Sequence, residues 1–553
     1  MLFPAVYELG YQVGQTMYRF GHHPTPLPSL KEIVDLLWSF PLLYKEWWWN
    51  LVTHDPLHVL VETTLLVSII YMMVSRSTEG YKKDSSERLT QAEQEELLRE
   101  WKDHGRSPLV PVESCEDSIV GKAVPSIIVH KQHGRFMEIT QEHDDYDDDD
   151  DEDDLASKKT KRPFQVLNFA TFDFLGMQAS ASNSAIKEVS KQALEKYGCG
   201  SCGPRGFYGT IDIHLQLEDE ISKFTHTDGA IMYSDGASTC SSTVAAFAKR
   251  GDLLVVDEGV YEPLVTGVML SRANVKWFKH NDMEDLERVL TEVQKTDQTL
   301  GRKPNAQRRF IVVEGLYKNL GTICPLDKIV ALKHKYHYRL ILDDSFSFGT
   351  LGPHGKGVLD LYGLRHMYDA EIVTIGLENA LGSIGGVTVG NEEVVDHQRL
   401  SGAGYCFSAS APPFVAAAAI QAIQLIGNKP ELLQRLQTNI QYMHEQLNQR
   451  LTSTTLVVTS DERSPIIVLQ LDQERPEEAD ILRDVAQECL QRGVAFVATG
   501  HEAASGQLKT ELAPALRMTI SSLHTIEDMD KAVTALVEAA AIVTSRYPTN
   551  LVN

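Results

Sequence analysis

The sequence predicts an α/β protein with a mostly parallel sheet in a large domain, followed by a smaller α/β domain. From residue 166 onward, short apolar runs such as DLLVVDE and FIVVEGLY alternate with stretches of helical length. Apolar runs of this length, separated by helices, are typical of parallel strands that are covered on both faces. Right-handed crossovers then bring the carboxyl ends of the strands to one edge of the sheet, where ligands bind.

The globular part of the chain divides into two predicted domains. Residues 166–410 form the large domain, and residues 411–553 form the C-terminal small domain. A helix is predicted to begin at Pro412–Pro413, because proline is favoured in the first turn of a helix. The last helix is predicted to begin with a capping box between Thr525 and Asp528.

The N-terminal region carries the features of a membrane anchor. Residues 1–56 are predicted to be an amphipathic, interfacial segment, because Trp47–Trp49 cluster there and tryptophan favours the membrane–water boundary. Residues 57–75 form an apolar stretch that is just long enough to span a bilayer. Basic residues follow it, which favours a cytosolic location for the rest of the chain. An interfacial or buried helix is the alternative for this stretch.

Residues 76–165 are predicted to be a cytosolic helix and a linker. The linker includes residues 142–154, EHDDYDDDDDEDD, which hold 11 of the acidic groups behind the formal charge of −24. Like charges at this density repel one another and cannot bury apolar surface, so a disordered insert is expected. The overall acidity argues against a nucleic-acid partner, which would need basic patches.

The seven cysteines are scattered along the chain, which favours a reducing compartment over a disulfide scaffold. Cys199 and Cys202 form a CxxC pair, which can be redox-active. The pair lies inside a glycine-rich loop, however, and no second CxxC accompanies it to bind zinc. We therefore predict no metal site.

Three stretches carry chemical content. The first, Tyr197 to Glu218, contains five glycines, which indicates tight turns and close backbone approach. The second is YSDGAST, Tyr233 to Thr239, where a strand ends and a helix begins; backbone amides at such a junction can hold a phosphate. The third, ILDDSFSFG, places Asp343 at the end of a strand, where a carboxylate can pair with a protonated pyridine nitrogen.

These stretches, in this order and together with GYCFSASAPP, resemble the α-oxoamine synthases, a branch of the fold-type-I pyridoxal-phosphate enzymes. Within that branch, GCGSCGPRGFYGT, GTICPL and LENALGSIGG resemble the first long-chain-base subunits of the serine palmitoyltransferases. The resemblance implies a complex that condenses L-serine with palmitoyl-CoA to 3-ketosphinganine, the first step of sphingolipid synthesis. Pyridoxal 5'-phosphate would be the cofactor of this acyltransferase.

The resemblance also implies that this chain lacks its own catalytic machinery. The position of the Schiff-base lysine falls at Asn379, and no lysine occurs between Lys356 and Lys429. An amide cannot form an imine with the cofactor aldehyde. Tyr261 and Phe346 fall at two positions where the family has histidine. The site is therefore expected to be degenerate and the chain to be a catalytically silent subunit.

Two residues of the family site persist in this chain. Asp343 matches the acid that pairs with the pyridine nitrogen, and Arg517 matches the arginine that grips the substrate carboxylate in active relatives. In a degenerate site both are expected to be vestigial, with Asp343 a structural acid and Arg517 part of a structural ion pair.

The resemblance implies an obligate heterodimer with a second long-chain-base subunit, which bears the lysine and holds the cofactor covalently. Ser408 would reach across the interface to the cofactor phosphate of the partner. Cys202, Gly203, Pro204 and Arg205 would border the partner's substrate, although ordinary interface packing is the alternative for these residues. Small activating subunits, inhibitory membrane regulators and a single-pass location in the endoplasmic reticulum membrane are also implied.

Two other functions stay open at this point. A self-sufficient aminotransferase-like enzyme would use another lysine, such as Lys318 or Lys356, but Lys356 follows Asp343 too closely in sequence. A lipid-binding or regulatory scaffold would need no partner enzyme. The presence of loops that match cross-dimer segments of the family speaks against such a scaffold.

Overall fold

The computed structural model describes the main body of the chain and a few residues of the N-terminal region. The described residues are 126–142, 162–178, 184–302, 307–499 and 512–547, together with Trp49, Thr53, 63–65 and 67–71. The chain divides into two compact units, Met1–Lys122 and Ala123–Asn553. In the first unit, residues 63–65 and 67–71 are helical and exposed.

Within these described ranges, no helix combines the length and the apolarity that crossing a membrane requires. The predicted interfacial segment 1–56 and the predicted transmembrane helix 57–75 lie mostly outside the described residues, and so does nearly all of the acidic insert 142–154. These three features therefore stay predictions.

The prediction that residues 76–165 form only a helix and a linker is wrong for residues 126–142. Strands β1 (Ser126–His133) and β2 (Phe136–Glu142) form an antiparallel hairpin, and β2 pairs with β3 (Phe164–Asn168). Met137 and Ile139 of the hairpin are buried. The hydrophobic alternation of β2 is too short to stand out in the sequence, and the residues that cover it are distant in the chain.

The central sheet of the second unit has seven strands and is parallel except for one. The strand order is β4-β10-β9-β8-β7-β5-β6, and only β10 runs antiparallel to its neighbours. The strands are β4 (Gly229–Tyr233), β5 (Leu253–Asp257), β6 (Asn274–Phe278), β7 (Arg309–Glu314), β8 (Arg339–Asp343), β9 (Ile372–Gly376) and β10 (Gly386–Gly390). Every residue of β5, β9 and β10 is buried, as expected for a sheet covered on both faces. The predicted mostly parallel sheet is confirmed.

Helices connect the strands and cover the sheet. They are α1 (Ser184–Tyr197), α2 (Asp212–Thr225), α3 (Gly236–Phe247), α4 (Glu262–Ser271), α5 (Met283–Leu300), α6 (Leu326–Tyr336), α7 (Val358–Leu361), α8 (Glu392–Ser401), α9 (Ala403–Phe407) and α10 (Pro413–Asn428). The last of these begins at Pro413, so the helix start predicted at Pro412–Pro413 is confirmed.

The C-terminal part forms a smaller layered unit. Its antiparallel sheet has the order β11-β12-β15-β14. The strands are β11 (Leu456–Val458), β12 (Ile466–Leu471), β14 (Val497–Thr499) and β15 (Ala515–Thr519), and the helices are α11 (Glu431–Arg450), α12 (Glu478–Gln491) and α13 (Ile526–Arg546). The predicted capping box between Thr525 and Asp528 begins α13. A short strand, β13 (Val494–Ala495), pairs with β3, so residues 164–168 contribute to a sheet that also includes C-terminal residues.

The topology brings several acidic side chains to the same sheet edge. In the parallel registers, Glu314 of β7 lies beside Asp343 of β8, and Asp343 lies beside Thr374 of β9. Asp257 is the last residue of β5. The carboxyl ends of parallel strands are where α/β proteins place their ligand sites, so this edge positions the candidate site.

Candidate functional site

The centre of the candidate site is the carboxylate of Asp343, which is 1% exposed. Its Oδ2 accepts hydrogen bonds from Thr374 Oγ1 at 2.6 Å, from Cys240 Sγ at 2.7 Å and from Ser345 Oγ at 3.2 Å. Its Oδ1 accepts from the Ser345 backbone N–H at 3.1 Å. Burial raises the pKa of Asp343, because no cationic side chain of the described residues pairs with it.

Tyr261 lies over this carboxylate. Its hydroxyl oxygen is 3.4 Å from Asp343 Oδ2 and 2.9 Å from Cys240 Sγ. Its backbone N–H donates to Glu314 Oε1 at 2.6 Å, which fixes the start of α4. Burial raises the pKa of Tyr261 and of Cys240 well above their usual ranges, so both groups keep their protons.

An aromatic cluster surrounds the Tyr261 ring. Phe346 stands edge-on to it, with ring centroids 6.1 Å apart, and Phe172 stands edge-on to Phe346 at 5.0 Å. Tyr261 and Phe346 are each 6% exposed. The two side chains at the predicted histidine positions are therefore packed as core residues.

Asn379 lies in the loop that follows β9. It is 5% exposed, and its Nδ2 donates to the Ser345 carbonyl oxygen at 2.9 Å. Ser345 also donates to Asp343, so Ser345 alone links Asn379 to the central carboxylate. An amide nitrogen has a delocalised lone pair and is not a nucleophile, so Asn379 serves here as a hydrogen-bond donor.

Glu378, the neighbour of Asn379, lies against the first turn of α3. A Cβ atom at Gly236 would collide with the Glu378 carboxylate, which shows how closely this side chain approaches the helix. Burial, together with the negative charges of Asp343 and Asp235, raises the pKa of Glu378 to about 7. Among the residues with described positions, Glu378 Oε2 has no hydrogen-bond partner.

The start of α3, which the sequence suggests as a phosphate-binding junction, contains acidic groups instead. Asp235 is its N-cap and accepts from the Ser238 backbone N–H at 2.8 Å. Ser238 Oγ also donates to the Asp235 carboxylate. With Glu378 nearby, this helix start faces two carboxylates. Helix N-termini attract anions, and the Asp235 carboxylate already supplies negative charge there.

The glycine-rich loop and the segment around Ser408 meet each other. Ser410 donates to the Gly203 carbonyl oxygen twice, from its backbone N–H at 2.9 Å and from its Oγ at 3.0 Å. Ser201 Oγ donates to the Ser410 carbonyl oxygen at 3.1 Å. A Cβ at Gly209 would collide with the Gly203 carbonyl oxygen. Both segments predicted to face a partner therefore form one junction, which we call the loop junction (residues 201–210 and 404–411).

The predicted partner-facing residues of this junction take different positions. Cys202 is exposed and adopts a left-handed φ of 56°. Arg205, in contrast, points into the chain, where its Nη2 is 2.9 Å from Glu218 Oε1 and its Nη1 donates to the Met232 carbonyl oxygen at 3.4 Å. Its guanidinium has an internal structural role here, and contact of Cys202, Gly203 and Pro204 with a partner's substrate stays a prediction.

Ser408 lies beside the strand end that leads into α3. Its Oγ is 3.1 Å from Ser234 Oγ, and it donates to the Gly404 carbonyl oxygen. Ser234 immediately follows β4. The predicted contact of Ser408 with a partner's cofactor phosphate remains a prediction, since it concerns a second chain.

Arg517, on β15, does not form the expected structural ion pair within the described part of the chain. Its guanidinium lies 4.4 Å from the Phe172 ring centroid, and burial lowers its pKa. Its Nε has no hydrogen-bond partner among the described atoms. Arg517 lines a cavity of about 220 Å³ together with His280 and Gln470. A cation–π contact with Phe172 takes the place of the carboxylate that was expected.

The two lysines considered as alternative imine-forming residues are engaged elsewhere. Lys318 Nζ is 3.6 Å from Glu262 Oε2 and lies over the Tyr261 ring at 5.9 Å. Lys356 Nζ is 2.8 Å from His226 Nε2. Among the contacts of the described residues, neither amine bonds Asp343.

Sequence reasoning missed several residues that build this site. Cys240, Glu314, Thr374 and Glu378 all contact it, and none belongs to a predicted set. Glu378 could have been noticed, because it precedes Asn379 in the same glycine-flanked loop. Cys240 and Thr374 gave no local signal, since their contacts depend on strand order.

The mixed seven-stranded sheet, the acidic strand ends and the smaller C-terminal sheet define the class of fold-type-I pyridoxal-phosphate transferases. The chain belongs to the family described as aminotransferase class I and II, which matches residues 165–536. The sequence prediction of this fold is confirmed for the α/β body, and the amphipathic and transmembrane helices before it stay predictions.

Curated relatives cover most of the chain. Long chain base biosynthesis protein 1b of Oryza sativa subsp. japonica is 36% identical over 88% of this chain and 92% of its own length. Serine palmitoyltransferase 1 of Dictyostelium discoideum is 36% identical over 78% of this chain and 83% of its own length. The resemblance to first long-chain-base subunits is thus confirmed.

A solved structure has the same fold. A serine palmitoyltransferase with a pyridoxal phosphate internal aldimine matches with a TM-score of 0.63, covering 83% of this chain and 100% of its own chain at 23% identity. Identity at this level shows the shared fold.

Proposed function

We propose that this chain is a non-catalytic but required subunit of a heteromeric serine palmitoyltransferase, which condenses L-serine with palmitoyl-CoA to 3-ketosphinganine. The curated relatives support the enzyme complex and its place in long-chain-base synthesis. The observation that carries the non-catalytic role is the surrounding of Asp343, whose carboxylate is paired within the chain while an amide occupies position 379.

The residues around Asp343 do not fit pyridoxal phosphate held by this chain. The cofactor supplies an electron sink when a lysine amine binds its aldehyde, and Asn379 has no such amine. The Tyr261 hydroxyl and the Cys240 thiol lie where a pyridine nitrogen would approach Asp343. We therefore assign the covalently held cofactor to a lysine-bearing second long-chain-base subunit.

The proposed role of this chain is to stabilise the partner and to complete its active site across the interface. Exposed side chains at the loop junction support such a contact: Phe207, Tyr208 and Phe407 are 72%, 99% and 85% exposed. Large exposed aromatic residues are typical of interface anchors. Ser408 and Cys202 in the same junction are the proposed contacts with the partner's cofactor phosphate and substrate.

The location of the complex is also part of the proposal. Residues 1–75 would hold it on the endoplasmic reticulum membrane, with residues 76–553 in the cytosol. Small activating subunits and inhibitory membrane regulators would bind through the N-terminal region. The apolar sequence of residues 57–75 supports the anchor.

The test is to purify the full chain alone and together with its partner, then reduce each sample with borohydride and locate the cofactor adduct by mass spectrometry. We expect an adduct on a peptide of the partner only, and 3-ketosphinganine formation only when both chains are present. An adduct on any lysine of this chain would contradict the proposal and favour a self-sufficient enzyme.

The same experiment separates the remaining alternative. A stand-alone regulatory or lipid-binding scaffold would purify without a partner and would leave serine palmitoyltransferase activity unchanged when added. Recovery of activity on mixing the two chains argues against that function.

A further inference from the structure

We infer that the interior around Asp343 is sealed by this chain's own side chains, so that an amine restored at position 379 would not by itself let the chain capture pyridoxal phosphate. This inference rests on the proposed function, in which the partner holds the cofactor. It goes further because it assigns the loss of binding to a filled site as well as to the missing lysine.

The inner part of the seal is the hydrogen-bonded group around the Asp343 carboxylate. Thr374, Cys240 and Ser345 donate to it at 2.6, 2.7 and 3.2 Å, and the Tyr261 hydroxyl lies 3.4 Å away. All four contacts fall on Oδ2, while Oδ1 accepts one hydrogen bond, from the Ser345 backbone N–H at 3.1 Å. A pyridinium could pair with Oδ2 only by displacing donors that are themselves buried.

The Tyr261 ring is the largest side-chain group of the seal. Two contacts hold this residue in place. The Tyr261 backbone N–H donates to Glu314 at 2.6 Å, and the Phe346 ring stands at 89° to the Tyr261 ring with centroids 6.1 Å apart. Phe172 supports Phe346 in turn. Close-packed interiors leave no room for a second ring, so an aromatic cofactor would need this side chain to leave its position.

The outer part of the seal is electrostatic. Glu378 and Asp235 place two carboxylates at the start of α3, and Glu378 contacts the helix at Gly236. A phosphate that approached this helix start would meet the Asp235 carboxylate and, above about pH 7, the ionised Glu378 as well, in a partly desolvated site where repulsion is stronger than in water. Phosphate sites at helix N-termini offer free backbone N–H donors, and here the Asp235 side chain already accepts from the Ser238 N–H.

Position 379 itself is close enough to the central carboxylate for the test to be informative. Asn379 Nδ2 donates to the carbonyl of Ser345, whose hydroxyl and N–H both donate to Asp343. A lysine placed there would carry its amine into the same region. Failure to capture the aldehyde would therefore reflect the filled site and not the distance from it.

The experiment compares three forms of the full chain, each co-purified with its partner, incubated with pyridoxal phosphate and reduced with borohydride. They are Asn379→Lys, Asn379→Lys with Tyr261→Ala and Glu378→Gln, and the matched control Asn379→Lys with Tyr261→Phe and Glu378→Gln. The control keeps the ring and removes only the hydroxyl and the charge. The adduct at residue 379 is quantified by mass spectrometry, with the partner's adduct as the positive control in the same sample.

We expect no adduct at residue 379 in the single variant, and about tenfold or more adduct in the alanine variant than in the phenylalanine control, because opening the site raises the fraction of chains that can bind. Equal capture in the two triple variants would overturn the role of the Tyr261 ring. Capture by the single Asn379→Lys variant would overturn the sealed site while leaving the proposed function intact.

An adduct on the unsubstituted chain, co-purified and reduced in the same way, would instead overturn the proposed function itself, so the two failures are distinguishable. The single variant decides the inference even if the alanine variant fails to fold, because its capture or lack of capture is read against the partner's adduct. Co-purification with the partner and a thermal unfolding curve identify folded variants.

Discussion

The interior around Asp343 and the loop junction at the surface differ in how they use the same fold. Around Asp343, polar groups are bonded within the chain, and Asn379 and Tyr261 are only 5% and 6% exposed. At the loop junction, the backbone segments bond to each other, while Tyr208 projects with 99% of its surface exposed. One region keeps its contacts inside the chain, and the other presents side chains outward.

This difference shows how a chain of this fold could lose the capacity to bind a cofactor and still associate with a partner chain. Filling a buried site would remove the capacity to bind a cofactor, and it costs the fold little where the buried polar groups find partners. A surface loop that contacts a second chain has no such internal substitute. In the proposed function, the residues that would silence the chain are therefore different from those that would let it serve a partner.

The largest expected effect is that of Arg205→Ala. This variant tests whether the glycine-rich loop of the loop junction is anchored in the interior of the chain. Arg205 starts in the glycine-rich loop and forms a buried ion pair with Glu218 at 2.9 Å. Its loss would leave the Glu218 carboxylate buried beside the end of β4 without its cation. We expect the free energy of unfolding to fall by about 3–5 kcal/mol, measured by denaturant unfolding of the full chain.

A matched control for this change lies on α2, the helix that also carries Glu218. Lys223 and Asp219 form an exposed ion pair on α2. Lys223→Ala should cause no measurable change, because water replaces the partner. If Arg205→Ala is as mild as this control, the loop is not anchored in the interior and the contrast between the two regions fails.

The next effect in size is that of Glu378→Gln, which tests the electrostatic part of the interior. The pKa of Glu378 is raised from its usual 4.5 to about 7 by burial, with Asp343 and Asp235 adding repulsion. The folded chain therefore holds this proton more tightly than the unfolded chain. The stability that the protonated group contributes is complete below pH 4.5 and is lost as the pH rises through about 7.

Glutamine cannot ionise, so the variant should escape this loss. We expect its stability advantage over the unsubstituted chain to grow by roughly 3 kcal/mol across that pH window. Unfolding curves at several pH values measure it. A constant difference at every pH would mean that Glu378 is solvated and is not part of a closed interior.

The loop junction is tested by a smaller change, Gly209→Ala. A Cβ there would collide with the Gly203 carbonyl oxygen and with Ser410 Oγ, whereas a Cβ at Gly206 would meet nothing within 4 Å. Such overpacking costs about 1–3 kcal/mol. We expect Gly209→Ala to weaken association with the partner chain, measured in a pull-down titration, and Gly206→Ala to leave it unchanged.

Equal behaviour of the two alanine variants would show that the meeting of the two segments is not needed for association. Weakening by both would point to the loop backbone in general. Only the predicted difference between Gly209 and Gly206 supports the junction as a built contact.

Local signals made part of this structure predictable. Pro413 and the Thr525–Asp528 box mark helix starts through interactions within one turn, so the sequence alone located them. Asp343 was placed correctly at a strand end because the apolar run RLIL ends there. Strand composition likewise predicted the parallel sheet.

Distant pairings explain what could not be predicted. The hairpin of β1 and β2 is stabilised by β3, which in turn pairs with Val494 more than three hundred residues along the chain. The same holds inside the site, where Cys240, Tyr261 and Thr374 converge on Asp343 from three separate elements. Arg517 found an aromatic ring where an ion pair was expected, because Phe172 comes from a distant segment.

The smallest expected effect is that of Tyr261→Phe, which asks whether the interior contributes chemistry at all. The change removes one hydroxyl, while Asp343 keeps its bonds from Thr374, Cys240 and Ser345. The ring stays in place against Phe346. We expect a loss of about 1 kcal/mol in the free energy of unfolding, the usual net value of one hydrogen bond.

The activity of the reconstituted complex should not change in this variant, because in the proposed function the partner holds the cofactor and the Tyr261 hydroxyl takes no part in the reaction. Measurement of 3-ketosphinganine formation at saturating L-serine and palmitoyl-CoA checks this. A folded Tyr261→Phe complex with strongly reduced turnover would mean that the Asp343 region takes part in the reaction. The division between a silent interior and a functional surface would then no longer describe this chain.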